Sequence, residues 1–167
     1  MLSFFRVVIL GVDPGLRTTG YGAIRVENGS FSLIESGYIK TNSDLDTARR
    51  LGSLHKEFSH ILQKINPDLV GIENVFSLIR YPRAGIVLGQ VLGVLYISVF
   101  QKNIAYIDLT PKEVKNALVG YGNAKKVQIK KAVMKIMEQN KVKSSHASDA
   151  IAAAIAAYYR IKRNIDK

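Results

Sequence analysis

Apolar and polar positions along this chain alternate, cluster and recur in ways that divide it into ten elements. Arg6 to Val12 is a short apolar run fit for a buried strand, and Tyr21 to Glu27 makes a second. Asn28-Gly29 is a strong hairpin signal leading into a third strand over Ser30 to Lys40. After the cap-forming Ser43 and Asp44, the residues Leu45, Ala48, Leu51, Leu54, Phe58, Ile61, Leu62 and Ile65 trace one helical face that ends before Asn66-Pro67. Leu69 to Glu73 predicts a fourth strand, Arg83 to Gln101 an apolar helix, and Ile104 to Ile107 a fifth strand. Thr110-Pro111-Lys112-Glu113 combines a capping box with proline at the first helical position, so a helix starts there and runs to about Val119. Gly120 to Asn123 breaks it, and a basic helix follows from Lys125 to Gln139. Ser144 or Ser145 caps a last, alanine-rich helix that reaches Arg160. The order βββαβαβααα predicts a single α/β domain over residues 1–167, a mixed sheet opening with three antiparallel strands and covered by helices.

Composition adds an anionic partner. The 167 residues are 47% hydrophobic, enough for a core, yet 24 Lys and Arg against 13 Asp and Glu leave a net charge of +11. Such an excess favours nucleic acid or an acidic membrane surface. Most of it lies in residues 112–143, where nine lysines face only Glu113 and Glu138; a solvated helix face or a phosphate-backbone footprint would both read this way. The absence of cysteine excludes disulfide frameworks, thiolate zinc sites and cysteine nucleophiles. Ala84 to Phe100 carries Gln90 and three glycines and falls short of the roughly 20 apolar residues a bilayer requires, so a buried helix is expected there. MLSFFR lacks the basic start of a signal peptide, and a soluble, cytoplasmic protein is expected. Gly85, Gly89 and Gly93 recur every fourth residue, a smooth stripe that permits close approach of the chain's own sheet or of a partner helix.

Most of the acidic residues fall in turns, caps or polar faces. Asp13 and Glu73 differ, since each ends an apolar strand, where open α/β sheets gather their binding groups. A turn acceptor at Asp13-Pro14-Gly15 is the plainer alternative for the first. Asp108, just before the Thr110 cap, reads as a turn residue. Asp149 lies three residues after His146, so the two share one face of the last helix. Bringing Asp13, Glu73 and Asp149 together without counter-charge is costly, and a divalent cation removes that cost. Oxygen ligands with one imidazole suit Mg²⁺ or Mn²⁺, two of which could activate water and steady the leaving oxygen of a phosphodiester. With the basic footprint, this composes a metal-dependent nuclease.

The segments GVDPGLRTTGYG (Gly11 to Gly22), GIENVF (Gly71 to Phe76), LGQVLG (Leu88 to Gly93), VKNALVGYGNAKKVQI (Val114 to Ile129) and HASDAIAAAI (His146 to Ile155) together resemble the RuvC family of Holliday-junction resolvases. The likeness runs from about Arg6 to Ala157. It implies an RNase H-like fold with a mixed five-stranded sheet and helices on both faces. It implies a homodimer that nicks two strands of like polarity in a four-way DNA junction, leaving 5′-phosphate and 3′-hydroxyl ends. Asp13, Glu73 and Asp149 match the family's metal-binding carboxylates, and His146 stands where some members carry Asp. Protonation near the reference pKa of about 6.5 would then compete with metal binding at His146. Lys115 and Lys126 match lysines beside the scissile phosphate. Phe76 matches an aromatic that stacks on an unpaired base near the crossover. Arg80, Tyr81 and Arg83, with Lys112, Lys125 and Lys130, are assigned to DNA contacts. Branch-migration partners of the RuvA and RuvB type are also implied. An actin-like kinase is too long a fold for this chain. Other RNase H-like nucleases, YqgF-type or RNA-processing, and a silent junction-binding module are the nearer rivals.

Overall fold

In the computed structural model, which describes residues 6–74, 82–137 and 144–165, β1 (Arg6–Asp13), β2 (Thr18–Glu27) and β3 (Ser30–Lys40) form an antiparallel meander. Asn28 and Gly29 turn the β2–β3 hairpin with φ of 51° and 81°, the left-handed pair that the Asn-Gly sequence favours. Helix α1 (Thr47–Ile65) returns the chain to β4 (Leu69–Glu73), which lies parallel to β1. Helix α2 (Pro82–Gln101) crosses to β5 (Ala105–Leu109), parallel to β4. The five-stranded sheet has the order β3-β2-β1-β4-β5. Helices α3 (Pro111–Val119), α4 (Lys126–Ile136) and α5 (Ser145–Ile165) complete the chain.

Strand alternation divides the core in two. Val7 and Ile9 of β1 and Leu69 of β4 face α5, with Val114 of α3 and Ile129 and Val133 of α4 in the same cluster. Leu10, Val12, Val70 and Ile72 face the other way, onto Leu54, Phe58 and Leu62 of α1 and Val91, Leu95 and Val99 of α2. Helices therefore cover both faces of a mixed sheet.

Strand β2 begins at Thr18, three residues before the expected Tyr21, extending its pairing with β1 to Gly20 opposite Asp13 and with β3 to Thr18 opposite Lys40. Three further boundaries differ from expectation. Asp46, rather than Ser43 or Asp44, caps α1 by accepting the Arg49 N–H at 2.9 Å, so Leu45 precedes the helix. Strand β5 continues through Asp108 to the buried Leu109, which pairs with Glu73; Asp108 is a strand residue whose carboxylate accepts the Tyr96 hydroxyl at 2.7 Å. Helix α5 runs past Arg160 to Ile165.

Helix α2 corrects the expectation of a buried helix. Val91, Leu92, Leu95, Ser98 and Val99 are buried, whereas Ile86, Ile97 and Phe100 are exposed, Phe100 by 74%. Its length and apolar character would suffice to cross a bilayer. Its buried stripe is instead packed on α1 and the sheet. A Cβ at Gly89 or Gly93 would meet nothing within 4 Å, so those two glycines do not seat α2 on its own sheet.

Candidate active site

The period of two that sorts the core also aims the first two carboxylates. Residues 7, 9, 11 and 13 of β1 share the face turned to α5, and so do residues 69, 71 and 73 of β4. Parallel pairing puts Gly11 beside Gly71 and Val12 beside Ile72. Asp13 and Glu73 are the next residues in that register, at the carboxyl ends of adjacent central strands. Asp13 hydrogen-bonds to a histidine rather than serving as a turn acceptor for the following residues.

The third carboxylate arrives on α5, which sits unusually close to the sheet because glycines line its path. A Cβ at Gly11 would lie 1.8 Å from the Ala150 carbonyl oxygen, one at Gly20 2.3 Å from that of His146, and one at Gly71 2.8 Å from the Ala157 Cβ. The helix answers with alanines, Ala150, Ala153, Ala154 and Ala157, all fully buried. This seating drops the first turns of α5 onto the end of β1. Gly20 pairs with Asp13 across the sheet and carries the His146 backbone above it. The His146 Nδ1 accordingly lies 3.0 Å from Asp13 Oδ2. An ionised carboxylate only accepts, so Nδ1 carries the proton and Nε2 of a neutral ring is left as the acceptor.

Asp13, Glu73 and Asp149 line one cleft of about 260 Å³ together with Pro111, Val114 and Lys115 of α3, Lys126 and Ile129 of α4, and Ala152 of α5. Burial pushes the Glu73 carboxyl up to about 7, and repulsion from Asp13 and Asp149 adds to it against the pull of Lys115 and Lys126. Asp13 is also raised, chiefly by burial and further by Asp149, although the His146 hydrogen bond opposes the change. Lys126 Nζ lies 2.7 Å from Asp149 Oδ2, and that hydrogen bond holds its ammonium above the ordinary lysine range. The group is therefore a set of mutually repelling oxygens balanced by two ammonium groups and an imidazole. Among the described residues, no three Asp, Glu or His groups are drawn tightly enough together to make a ready cage for an ion.

Lys112, Lys125 and Lys130 are exposed on α3, on the residue before α4, and on α4, and Arg83 is exposed at the start of α2. Phe76, Arg80 and Tyr81 lie outside the described residues, as do Lys141 and Lys143. Sequence reading passed over the anchor of Glu73. The next residue, Asn74, is buried, donates its backbone N–H to the Leu109 carbonyl at 2.8 Å, and donates its side chain to the Tyr96 hydroxyl at 3.1 Å. Tyr96 in turn donates to Asp108. The signal lay in an asparagine placed directly after a strand-ending acid.

The family model described as crossover junction endodeoxyribonuclease RuvC matches residues 9–157. A relative from Caldicellulosiruptor saccharolyticus with the same description is 37% identical over 149 residues, covering 88% of this chain and 89% of its own. The solved Thermus thermophilus RuvC superposes with a TM-score of 0.87 at 26% identity, covering 94% of this chain and 96% of that one. The same relative in complex with Holliday junction substrate superposes with a TM-score of 0.85 at 24% identity, over 93% and 96% of the two chains.

Proposed function

This chain belongs to the RuvC family of crossover junction endodeoxyribonucleases, with the family's RNase H-like fold, and from that premise we propose that it resolves four-way DNA junctions. It hydrolyses one phosphodiester in each of two strands of like polarity, leaving 5′-phosphate and 3′-hydroxyl ends. The observation that carries this reading is the convergence of Asp13, Glu73 and Asp149 on a single cleft opposite Lys115 and Lys126. A pure junction binder gains nothing from three mutually repelling carboxylates.

The donor set fits divalent cations. Carboxylate oxygens whose protonation is favoured by one another's charge gain from a cation of higher charge than lysine supplies, and hard oxygen donors suit Mg²⁺, with Mn²⁺ the alternative. Asp13, Glu73 and Asp149 would hold two such ions, with His146 as the fourth residue of the set. Bound there, such ions would supply Lewis-acid charge for attack of water on phosphorus. The chain's own residues do the rest. Lys115 and Lys126 place positive charge where the phosphate becomes more negative. His146, tethered through Nδ1, is held in one orientation at the Asp13 edge. The exposed lysines of α3 and α4 track the phosphate backbone.

The open side of α2 supports a second copy as its cover. Ile86, Ile97 and Phe100 are exposed along it, and Gly89 and Gly93 leave room for a helix to approach. Sedimentation checks this separately, because Gly89→Leu should shift the protein towards monomer.

The deciding experiment incubates the protein with a synthetic four-way junction, a linear duplex and an RNA hairpin, each with Mg²⁺ or EDTA. Paired symmetric nicks in the junction alone, lost in EDTA, are expected. Asp13→Asn should lower cleavage at least about a thousandfold while junction binding persists. Equal cutting of duplex or hairpin rejects the reading in favour of another RNase H-like nuclease.

A further inference from the structure

Among the described residues of the lysine-rich stretch, two large apolar side chains stand exposed, Val127 and Tyr121. Tyr121 lies in the turn between α3 and α4, and the two helices it joins carry Lys115 and Lys126, both of which line the cleft. Gly120 closes α3 at φ 80° by donating its N–H to the Asn116 carbonyl, a left-handed residue that reverses the chain sharply. Gly122 then lies against the stem of Lys112, whose Cγ would be 2.7 Å from an added Cβ. The turn thus presents its one aromatic ring with lysines on either side.

The ring is also held. Gln128 donates its side-chain amide to the Tyr121 hydroxyl at 2.7 Å, and the amide oxygen of the same side chain accepts the Lys125 N–H at 2.8 Å. One glutamine therefore ties the tyrosine to the first turn of α4, the turn that begins with Lys126. An aromatic side chain that is 47% exposed gains little from the core, and fixing its orientation gains nothing for solubility. A flat, oriented π-face among cations is what a nucleobase requires, because stacking tolerates any base while the lysines hold the backbone.

Building on the reading of the substrate as junction DNA, we infer that Tyr121 is a positioning residue that stacks on an unpaired base of the strand entering the cleft and so sets the register of the scissile phosphate. Its hydroxyl serves the tether and its ring serves the base. The two roles separate by substitution: Tyr121→Phe removes the tether and keeps the face, whereas Tyr121→Leu keeps bulk without the π-system and Tyr121→Ala removes both.

The test uses four-way junctions carrying 2-aminopurine at successive positions near the crossover, with binding and fluorescence measured in EDTA and cleavage measured separately in Mg²⁺. Wild type and Tyr121→Phe should quench the probe at the same position, with affinities within about twofold of each other. Tyr121→Ala and Tyr121→Leu should lose that quenching, bind roughly tenfold more weakly and spread their cuts over neighbouring phosphates. Thermal melts in parallel identify any variant that is not folded, and Tyr121→Leu is the reserve if the alanine variant fails to fold. Quenching and cut position unchanged in the leucine variant would overturn the stacking role. So would a phenylalanine variant as impaired as alanine, which would assign the residue to the Gln128 tether alone. A wild-type protein that prefers duplex to junction would instead remove the underlying reading of the substrate.

Discussion

The cleft has two walls built on different principles. On one, Asp13 and Glu73 end central strands in matching register, and Asp149 rides a helix pressed into a glycine-lined trench. On the other, Lys115 and Lys126 stand on helices of nine and eleven residues at the edge of the core. Side-chain exposure expresses the contrast within a single ion pair, 21% for Asp149 against 68% for its partner Lys126. The acids are located by backbone packing, so their separation cannot change without moving a strand or α5. The lysines are located by long stems and can follow a phosphate. A site that holds repelling charges needs the first kind of wall, and a substrate as variable in shape as a DNA junction is met by the second.

A methyl group in each wall tests this most severely. Gly11→Ala places a Cβ 1.8 Å from the Ala150 carbonyl oxygen and 2.5 Å from the Ala154 nitrogen, backbone atoms that can yield only if α5 lifts. Overpacking of a core generally costs about 1–3 kcal/mol, and a backbone-to-backbone clash belongs at or beyond the top of that range. Urea denaturation should show a loss of at least about 3 kcal/mol. Gly122→Ala, in the lysine wall, meets side-chain atoms alone, the Lys112 Cγ at 2.7 Å and the Asn116 Oδ1 at 3.4 Å, which can move without shifting a helix, and should cost about 1 kcal/mol by the same measurement. Equal losses would dissolve the distinction.

The two walls were also unequally legible in the sequence. Strand-ending acids betray themselves, since a carboxylate closing an apolar run has no reason to be in a core, and Asp13 and Glu73 could be singled out without any relative in view. His146 and Asp149 were visible as a pair on one helical face. What joins the three acids is a packing fact, the meeting of Gly11, Gly20 and Gly71 with the alanines of α5. Those glycines are scattered over more than sixty residues and signal nothing singly. Lys115 and Lys126 were indistinguishable by composition from the lysines around them, and only the family's motifs marked them out. The outward face of α2 escaped for a related reason, because periodicity reports that a helix is apolar all round and not whether its own chain covers it.

Metal-free protein exposes the strain in the carboxylate wall. Because Glu73 is raised from about 4.5 to about 7 on folding, the folded state holds its proton more tightly. That contribution is fully present below the unfolded value and is lost as pH rises through 7. In EDTA, wild type should therefore lose roughly 2–3 kcal/mol relative to Glu73→Gln between pH 4.5 and pH 8, at about 1.4 kcal/mol per pKa unit. Chemical denaturation at the two pH values measures the difference, which Mg²⁺ should reduce at pH 8. A pH-independent gap between the two proteins would mean that neither burial nor the charge of Asp13 and Asp149 raises Glu73.

The lysine wall carries a carboxylate of opposite sense. Burial alone would raise Glu113, but its hydrogen bonds from the Thr110 N–H and hydroxyl, with Arg160 alongside, outweigh burial and hold it below the ordinary glutamate range. Its contribution is present above the unfolded pKa and fades as pH falls through the lower folded value. Glu113→Ala breaks the capping box of α3 and should cost only about 0.5–1 kcal/mol at pH 7, with the loss shrinking towards pH 3. Because the fraying turn lies one residue before Val114 and two before Lys115, junction cleavage should fall severalfold while junction binding changes little. Measured together, the Glu73 variant gains relative to wild type as pH rises and the Glu113 variant loses. If both pairs of curves moved in the same direction, the wall of strained acids and the wall of satisfied ones would be a single electrostatic environment.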